Sequence, residues 1–334
     1  MTSKPKILVT RHLPDAIEQR MATLFEARLN PADTPYSAAS LVAALDGQDV
    51  LVSSITDRID AALIARLPRS VRLIAQFGNG FDNIDIEAAY AAGLTVTNTP
   101  SVLTEDTADM AMLLMLALPR RLVEGSGVLP QTGSWPGWSP TWMLGRRLRG
   151  KALGIVGMGR IGSAVAARAR SFGLAIHYYS RNRRPAQLEE RLETVFHERL
   201  DDMLGAVDIL SLHTPLTRDT SQILDRRRIG LMKPGAYVVN VSRPELIDEE
   251  ALVAAIAGGR LAGAALDVFE GRETASERLL ELARQHRILL TPHMASATLE
   301  ARVEMGETVI VNIRAFIDGH QPPHRVLPDT RARA

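Results

Sequence analysis

Lys151-Ala152-Leu153-Gly154-Ile155-Val156-Gly157-Met158-Gly159-Arg160-Ile161-Gly162 is a short apolar strand that runs straight into Gly-x-Gly-x-x-Gly, and an alanine-rich helix follows over 163–172. Each glycine has a physical task in such a turn. Gly157 allows the tight bend, Gly159 lets the backbone approach a pyrophosphate, and Gly162 permits close packing of helix on strand. The helix points its first N–H groups at the anion, flanked by Arg160 and Ile161. The glycine pattern alone recurs by chance in loops, but a second apolar strand over 174–179 supplies the β-α-β context of a dinucleotide site.

The end of that second strand refines the site. NAD sites commonly place an acidic residue about twenty positions beyond the glycines, where it accepts hydrogen bonds from the ribose. Here the chain reads Tyr179-Ser180-Arg181-Asn182-Arg183-Arg184-Pro185. No carboxylate repels a 2′-phosphate, and Ser180, Arg181 and Arg183 can pair with one, so NADP (as NADPH) is the expected cofactor, with NAD the other candidate. The bland alternative is a solvated basic turn.

Composition bounds the rest. At 334 residues, 46% of them apolar, the chain is long enough for two cores of ordinary size. Its formal charge of +1, with acids and bases interspersed, predicts neither a nucleic-acid nor a membrane partner. Cysteine is absent, which excludes disulfides, thiolate zinc sites and thiol catalysis; no metal site is expected. The first residues enter a strand over 6–10 without a signal-peptide core, and no run approaches the roughly 20 apolar residues of a membrane span, so the expected location is cytoplasmic.

Apolar runs at 7–9, 50–52, 73–75 and 94–96 alternate with helical stretches such as 37–45 and 84–92, the pattern of a small parallel sheet. A capped helix begins near 101–104, with Glu105 in its first turn, and is expected to run to about Glu124; its methionines read as packing. Residues 129–149, with Trp135, Trp138 and Trp142 among Gly and Pro, read as a loop. The second sheet continues over 207–212, 236–241, 262–268 and 287–291, making six parallel strands. A last helix over 297–318 comes too late to extend that sheet and is expected to pack back on the first domain. The predicted fold class is α/β: two doubly wound parallel sheets, Rossmann-like or flavodoxin-like, with the first domain discontinuous over 1–100 and 296–334 and the dinucleotide-binding domain over 101–295.

Six ordered motifs span nearly the whole chain: Gly78-Asn79-Gly80-Phe81-Asp82-Asn83-Ile84-Asp85, Val102-Leu103-Thr104-Glu105-Asp106-Thr107-Ala108-Asp109, the glycine loop, Asn240-Val241-Ser242-Arg243, Ala265-Leu266-Asp267-Val268-Phe269-Glu270, and Thr291-Pro292-His293-Met294-Ala295-Ser296-Ala297-Thr298. Together they resemble the D-2-hydroxyacid dehydrogenase family, and within it the glyoxylate/hydroxypyruvate reductase branch. The resemblance implies an NADPH-preferring reductase of small 2-oxo acids, acting as a homodimer, with substrate bound by the first domain. The other functional class is a dinucleotide-sensing binding protein of the corepressor type.

Hydride transfer to a 2-oxo acid needs a fixed cation for the carboxylate. Arg243, beyond the strand at 236–241, suits it because a guanidinium never loses its charge; the alternative is a surface pair with Asp248 or Glu245. An acid must protonate the carbonyl oxygen, and histidine titrates near neutrality. The resemblance assigns this role to His293, at a strand end. The family's third member is a glutamate five residues after the aspartate of Asp-Val-Phe. Arg272 stands there instead, so Glu273 is the expected replacement and Glu270 the other candidate. Pro244 is a second departure, where relatives carry glycine. Asn79 and Gly80 match a loop whose N–H groups bind the substrate carboxylate, or form a plain turn. Thr104 matches a residue near the nicotinamide, or caps its helix. Asp267 matches the residue that bonds the carboxamide, or caps nearby amides. Trp142 lies in a segment that relatives use at their dimer interface.

Overall fold

Strands covered by helices on both faces of a parallel sheet need no polar alternate, and so they read as short continuous apolar runs. Leu73–Phe77, buried at every position, is the clearest case. The computed structural model describes residues 4–271 and 274–328. They fall into two units, Met1–Leu103 with Ala297–Ala334, and Thr104–Ser296.

In the first unit β1 (Lys6–Val9), β2 (Glu26–Arg28), β3 (Val50–Ser54), β4 (Leu73–Phe77) and β5 (Thr95–Thr97) are parallel, in the order β2-β1-β3-β4-β5. That is the flavodoxin-like doubly wound order. A short antiparallel strand, Arg325–Val326, pairs with β5 at the edge. β2 reads Glu26-Ala27-Arg28 and is a polar edge strand, so no apolar run announces it. The last long helix, Leu299–Ile317, is capped by Thr298, whose side chain accepts from Ala301 N at 3.1 Å. It buries Met305, Val309, Ile310 and Ile313 in one core with Ile7, Val9, Ile17 and Leu73, as its position in the chain predicts.

The second unit carries β6 (Ala152–Val156), β7 (Ala175–Tyr179), β8 (Thr194–Phe196), β9 (Ile209–Leu212), β10 (Tyr237–Asn240), β11 (Gly263–Leu266) and β12 (Ile288–Leu290). The order β8-β7-β6-β9-β10-β11-β12 is the Rossmann order with one strand added. Relative to that order the added strand is β12; relative to the six strands expected from the sequence, the additional one among the described residues is β8, with three residues and an exposed Val195 at its centre. The expected single helix to Glu124 is two helices, Thr104–Ala117 and Leu122–Thr132. Pro119 and a left-handed Arg121 (φ 54°) separate them, so the stretch read as loop from residue 129 begins helical. Met110, Met112 and Met115 are buried in the core beneath β6 and β7, which makes them packing residues.

β9 is followed by His213, whose Nε2 lies 2.8 Å from Ser211 Oγ while Nδ1 is buried without a partner among the described residues. Burial pulls its pKa down to about 4. The unfolded chain takes up this proton near its usual value of about 6.5 and the folded chain resists it, so stability present above that value is lost as the pH falls toward 4. The free energy of unfolding should drop by about 1 to 2 kcal/mol between pH 7 and pH 5, and His213→Asn should flatten the drop. Urea midpoints at the two pH values check this, and equal losses in both proteins would clear His213 of the effect.

Candidate active site

The glycine loop is shaped by its own framework. Gly157 adopts φ 98°, and a Cβ there would stand 2.6 Å from the His213 carbonyl oxygen. At Gly162, in the first turn of helix Arg160–Ser171, a Cβ would drive into the Gly157 carbonyl. Gly159, the N-cap, has nothing within 4 Å of its own Cβ position. Two glycines are thus demanded by the fold, and the third leaves open space at a helix N-terminus, which fits a pyrophosphate flanked by Arg160 and Ile161.

The turn after β7 separates its arginines. Ser180 is partly buried, and Arg181 is exposed and makes no hydrogen bond or ion pair to a described residue. Arg183, expected beside Arg181 as a phosphate partner, already has a partner within the fold. Its guanidinium is engaged by Glu189 at 2.9 Å and lies 5.4 Å from the Phe196 ring centroid. Glu189 also accepts from the Tyr178 hydroxyl. Arg183 and then Tyr178 hold the Glu189 carboxyl below the usual range, while burial and then Glu189 push the Tyr178 phenol up to about 12. Arg184, which sequence reasoning did not single out, donates from Nε to Met158 O at 2.5 Å and from its main-chain N to Tyr178 Oη at 2.9 Å. It straps the basic turn onto the glycine loop; its only sequence signal is its place in the arginine run.

At the end of β10, Asn240 holds the chain with two bonds: Nδ2 donates to Arg243 O at 2.8 Å, and Oδ1 accepts from Ser242 N at 3.0 Å. Arg243 is partly buried and extended (φ −139°, ψ 140°), the conformation a following proline favours. Pro244 opens the 3₁₀ turn Pro244–Leu246, where a missing N–H costs nothing. The local backbone therefore accommodates Pro244.

His293 follows β12 with φ 51°, a left-handed conformation uncommon outside glycine that histidine, asparagine and aspartate adopt more readily than other residues. Its N–H donates to Asp267 O at 2.9 Å and Thr291 O at 3.0 Å. The Asp267 carboxylate, fully buried, accepts from Thr291 Oγ1 (2.6 Å), Met294 N (2.9 Å) and Ala295 N (2.9 Å). Of the two readings of Asp267, these bonds belong to the capping one: it clamps the loop that carries His293. Glu270 donates its N–H to Glu249 Oε2 at 2.9 Å. Burial first, then Glu249, Asp248, Glu245 and Glu250, raise its carboxyl. Glu273 lies outside the described residues.

In the first unit Asn79 and Gly80 occupy the turn after β4, and three carbonyls of that turn point into the framework. Gly78 O accepts from Thr99 N (3.0 Å), Asn79 O from Asn98 Nδ2 (2.8 Å) and Gly80 O from Gln76 Nε2 (3.2 Å). Thr104 starts helix Thr104–Ala117 in the other unit and is partly buried. Beyond that helix, Trp135 and Trp142 pack with ring centroids 5.5 Å apart and planes tilted by 42°, and Trp138 is 82% exposed.

A family model described as D-isomer specific 2-hydroxyacid dehydrogenase, NAD binding domain, matches residues 112–295, all within the second unit. The chain belongs to the D-isomer specific 2-hydroxyacid dehydrogenases. As such it is an NAD(P)-dependent oxidoreductase, in agreement with the resemblance carried by the six motifs. The dehydrogenase is 41% identical over 332 residues to a glyoxylate reductase of Thermococcus litoralis, covering 98% of each chain. Two solved structures are similar along the whole dehydrogenase chain. A glyoxylate reductase from Paecilomyes thermophila has a TM-score of 0.84 at 32% identity and covers 98% of this chain and 99% of its own. An NADPH-dependent glyoxylate/hydroxypyruvate reductase from Sinorhizobium meliloti, in complex with NADP and malonate, has a TM-score of 0.83 at 33% identity and covers 97% of both. Among the described residues of the dehydrogenase, no group of three or more His, Asp or Glu is placed to hold a metal ion, and no helix is long and apolar enough to cross a membrane.

Proposed function

We propose that this dehydrogenase reduces small 2-oxo acids of the glyoxylate and hydroxypyruvate type to D-2-hydroxy acids, with NADPH the preferred reductant. The observation that supports the reading is that Arg243 and His293 follow β10 and β12, at the carboxyl ends of one parallel sheet. Only β11 lies between these strands, so strand spacing sets the two loops roughly 10 Å apart, a span two long side chains close around one small acid. The nicotinamide supplies the hydride. Arg243 is read as the group that holds the substrate carboxylate and His293 as the donor of one proton to the carbonyl oxygen; the N–H groups of the Asn79-Gly80 loop are read as the carboxylate-binding element of the first unit. One 2-oxo acid, one NADPH and one proton give one 2-hydroxy acid and one NADP⁺.

The relatives' names support the substrate class, and the turn after β7, without a carboxylate and with Arg181 unengaged, supports NADPH. The first unit is read as the substrate-binding domain. Leu122, Val123, Leu129, Trp138 and Leu144 are exposed apolar side chains in the stretch from 122 to 144, which contains the segment expected at the homodimer interface. The test is loss of nicotinamide absorbance when glyoxylate or hydroxypyruvate is added with each cofactor. Binding of NADPH with no turnover of any 2-oxo acid would make the chain a dinucleotide-sensing protein instead.

Glu273 is read as the partner that stabilises protonated His293, because the main chain of Glu270 is tied to Glu249 and its charge is already opposed by four acidic neighbours. Reduction needs the protonated histidine, so losing the true partner should move the alkaline limb of the kcat/KM profile to lower pH. Glu273→Gln should produce that shift and Glu270→Gln should not. The reverse result transfers the role to Glu270.

A further inference from the structure

The turn that follows β4 is built from peptides that ought to flip easily. Gly78 and Gly80 flank Asn79, and glycine adopts either sign of φ at little cost, so a peptide beside it can rotate and exchange its carbonyl for its N–H. Gly78 cannot be replaced to stiffen the turn, because a Cβ there would stand 2.7 Å from the Ile55 side chain. All peptide bonds in the described residues are trans. In a trans peptide the C=O and N–H point opposite ways. With the carbonyls of Gly78, Asn79 and Gly80 bonded inward, the N–H groups of Asn79, Gly80 and Phe81 face away from the framework. None of the three donates to a described residue. Successive outward N–H groups of this kind form a concavity that attracts anions.

We propose that Gln76 and Asn98 are positioning residues for the substrate carboxylate: they fix two of these peptides in the donor-outward state. The inference rests on the carboxylate-binding role read above for this loop. Gln76 is fully buried, and its amide can face only one way. Oε1 accepts from Ser53 Oγ at 2.6 Å, which turns Nε2 toward Gly80 O and Asn83 Oδ1 (2.8 Å). Asn83 is oriented in turn by donating Nδ2 to Ser54 O and Asp57 O at 3.0 and 2.7 Å. Each amide therefore dictates the orientation of the next.

Asn98 is pinned through its own main chain. Its N–H donates to His324 O at 3.2 Å, and its carbonyl accepts from Nδ2 of the fully buried Asn312 at 3.2 Å. Asn312 Oδ1 accepts from His324 N at 3.2 Å. Helix Leu299–Ile317 and the segment beyond it thus hold the side chain that holds Asn79.

Asn98→Ala and Gln76→Met test the assignment. Losing one oriented peptide removes a charge-assisted bond to the carboxylate, so the KM for glyoxylate should rise about tenfold or more, with kcat within about threefold and the KM for NADPH unchanged. Calorimetric titration of the NADPH-loaded protein with oxalate should weaken by a similar factor, and this readout stands whether or not glyoxylate is turned over. Asn98 is only partly buried, so its variant keeps the test open if the core variant fails to fold. Unchanged oxalate affinity in Asn98→Ala overturns the proposal. So does a parallel loss of oxalate and NADPH affinity, which marks general loosening. A wild-type protein that binds oxalate but does not reduce glyoxylate sinks the substrate reading and leaves this one standing.

Discussion

His293→Asn lowers kcat about 10²- to 10⁴-fold and leaves NADPH affinity nearly unchanged, the expected result if this side chain supplies the proton. The substitution is chosen for the backbone. His293 sits at φ 51° with its N–H bonded to Asp267 O and Thr291 O, and asparagine is among the residues that tolerate this conformation best. The loop clamped by Asp267 should therefore survive, and the loss should report the missing imidazole rather than a displaced strand end. Steady-state turnover of glyoxylate, with NADPH binding followed by fluorescence, makes the measurement. A variant retaining more than a third of wild-type kcat would remove His293 from the reaction.

The second large effect is cofactor choice. Wild type should prefer NADPH over NADH roughly 10- to 100-fold in kcat/KM, the worth of one good charge-assisted contact to a 2′-phosphate. The exposure of the turn pulls the figure toward the lower end. Arg181 is the arginine expected to make that contact, because Arg183 is engaged by Glu189 and Arg184 by Met158 O. Arg181→Ala should erode the preference by weakening NADPH and should leave NADH nearly unaffected. Equal use of the two cofactors by wild type would reduce the arginine run to a solvated surface turn.

What could be read from the chain follows from how each feature is encoded. The glycine loop was legible because steric exclusion leaves one residue type at Gly157 and Gly162, and the framework contacts at both positions bear that out. The long buried strands were legible because burial on two faces demands apolar runs. β2 and β8 were not, since edge strands of three residues need little core. The break at Pro119 hid inside a continuous helical pattern. At the basic turn, sequence alone showed three equivalent arginines. Their division of labour depends on Glu189, a helix residue that only the folded chain brings back to Arg183. The braces under Asn79 and Gly80 were silent too: Gln76, though only four residues before Gly80, belongs to no motif, and Asn98 and Asn312 meet only in the folded chain.

The split of the first unit between Met1–Leu103 and Ala297–Ala334 bears on how the chain is made. On a ribosome adding about 5 to 20 residues per second, the first sheet waits roughly ten to forty seconds while the whole second unit is synthesised. Until helix Leu299–Ile317 emerges, the faces of Ile7, Ile17 and Leu73 that it covers stand open to water. The nascent chain is most exposed to misassociation at its oldest end, and a stop codon between Ser296 and that helix would release a protein with a complete dinucleotide unit attached to an unfinished one.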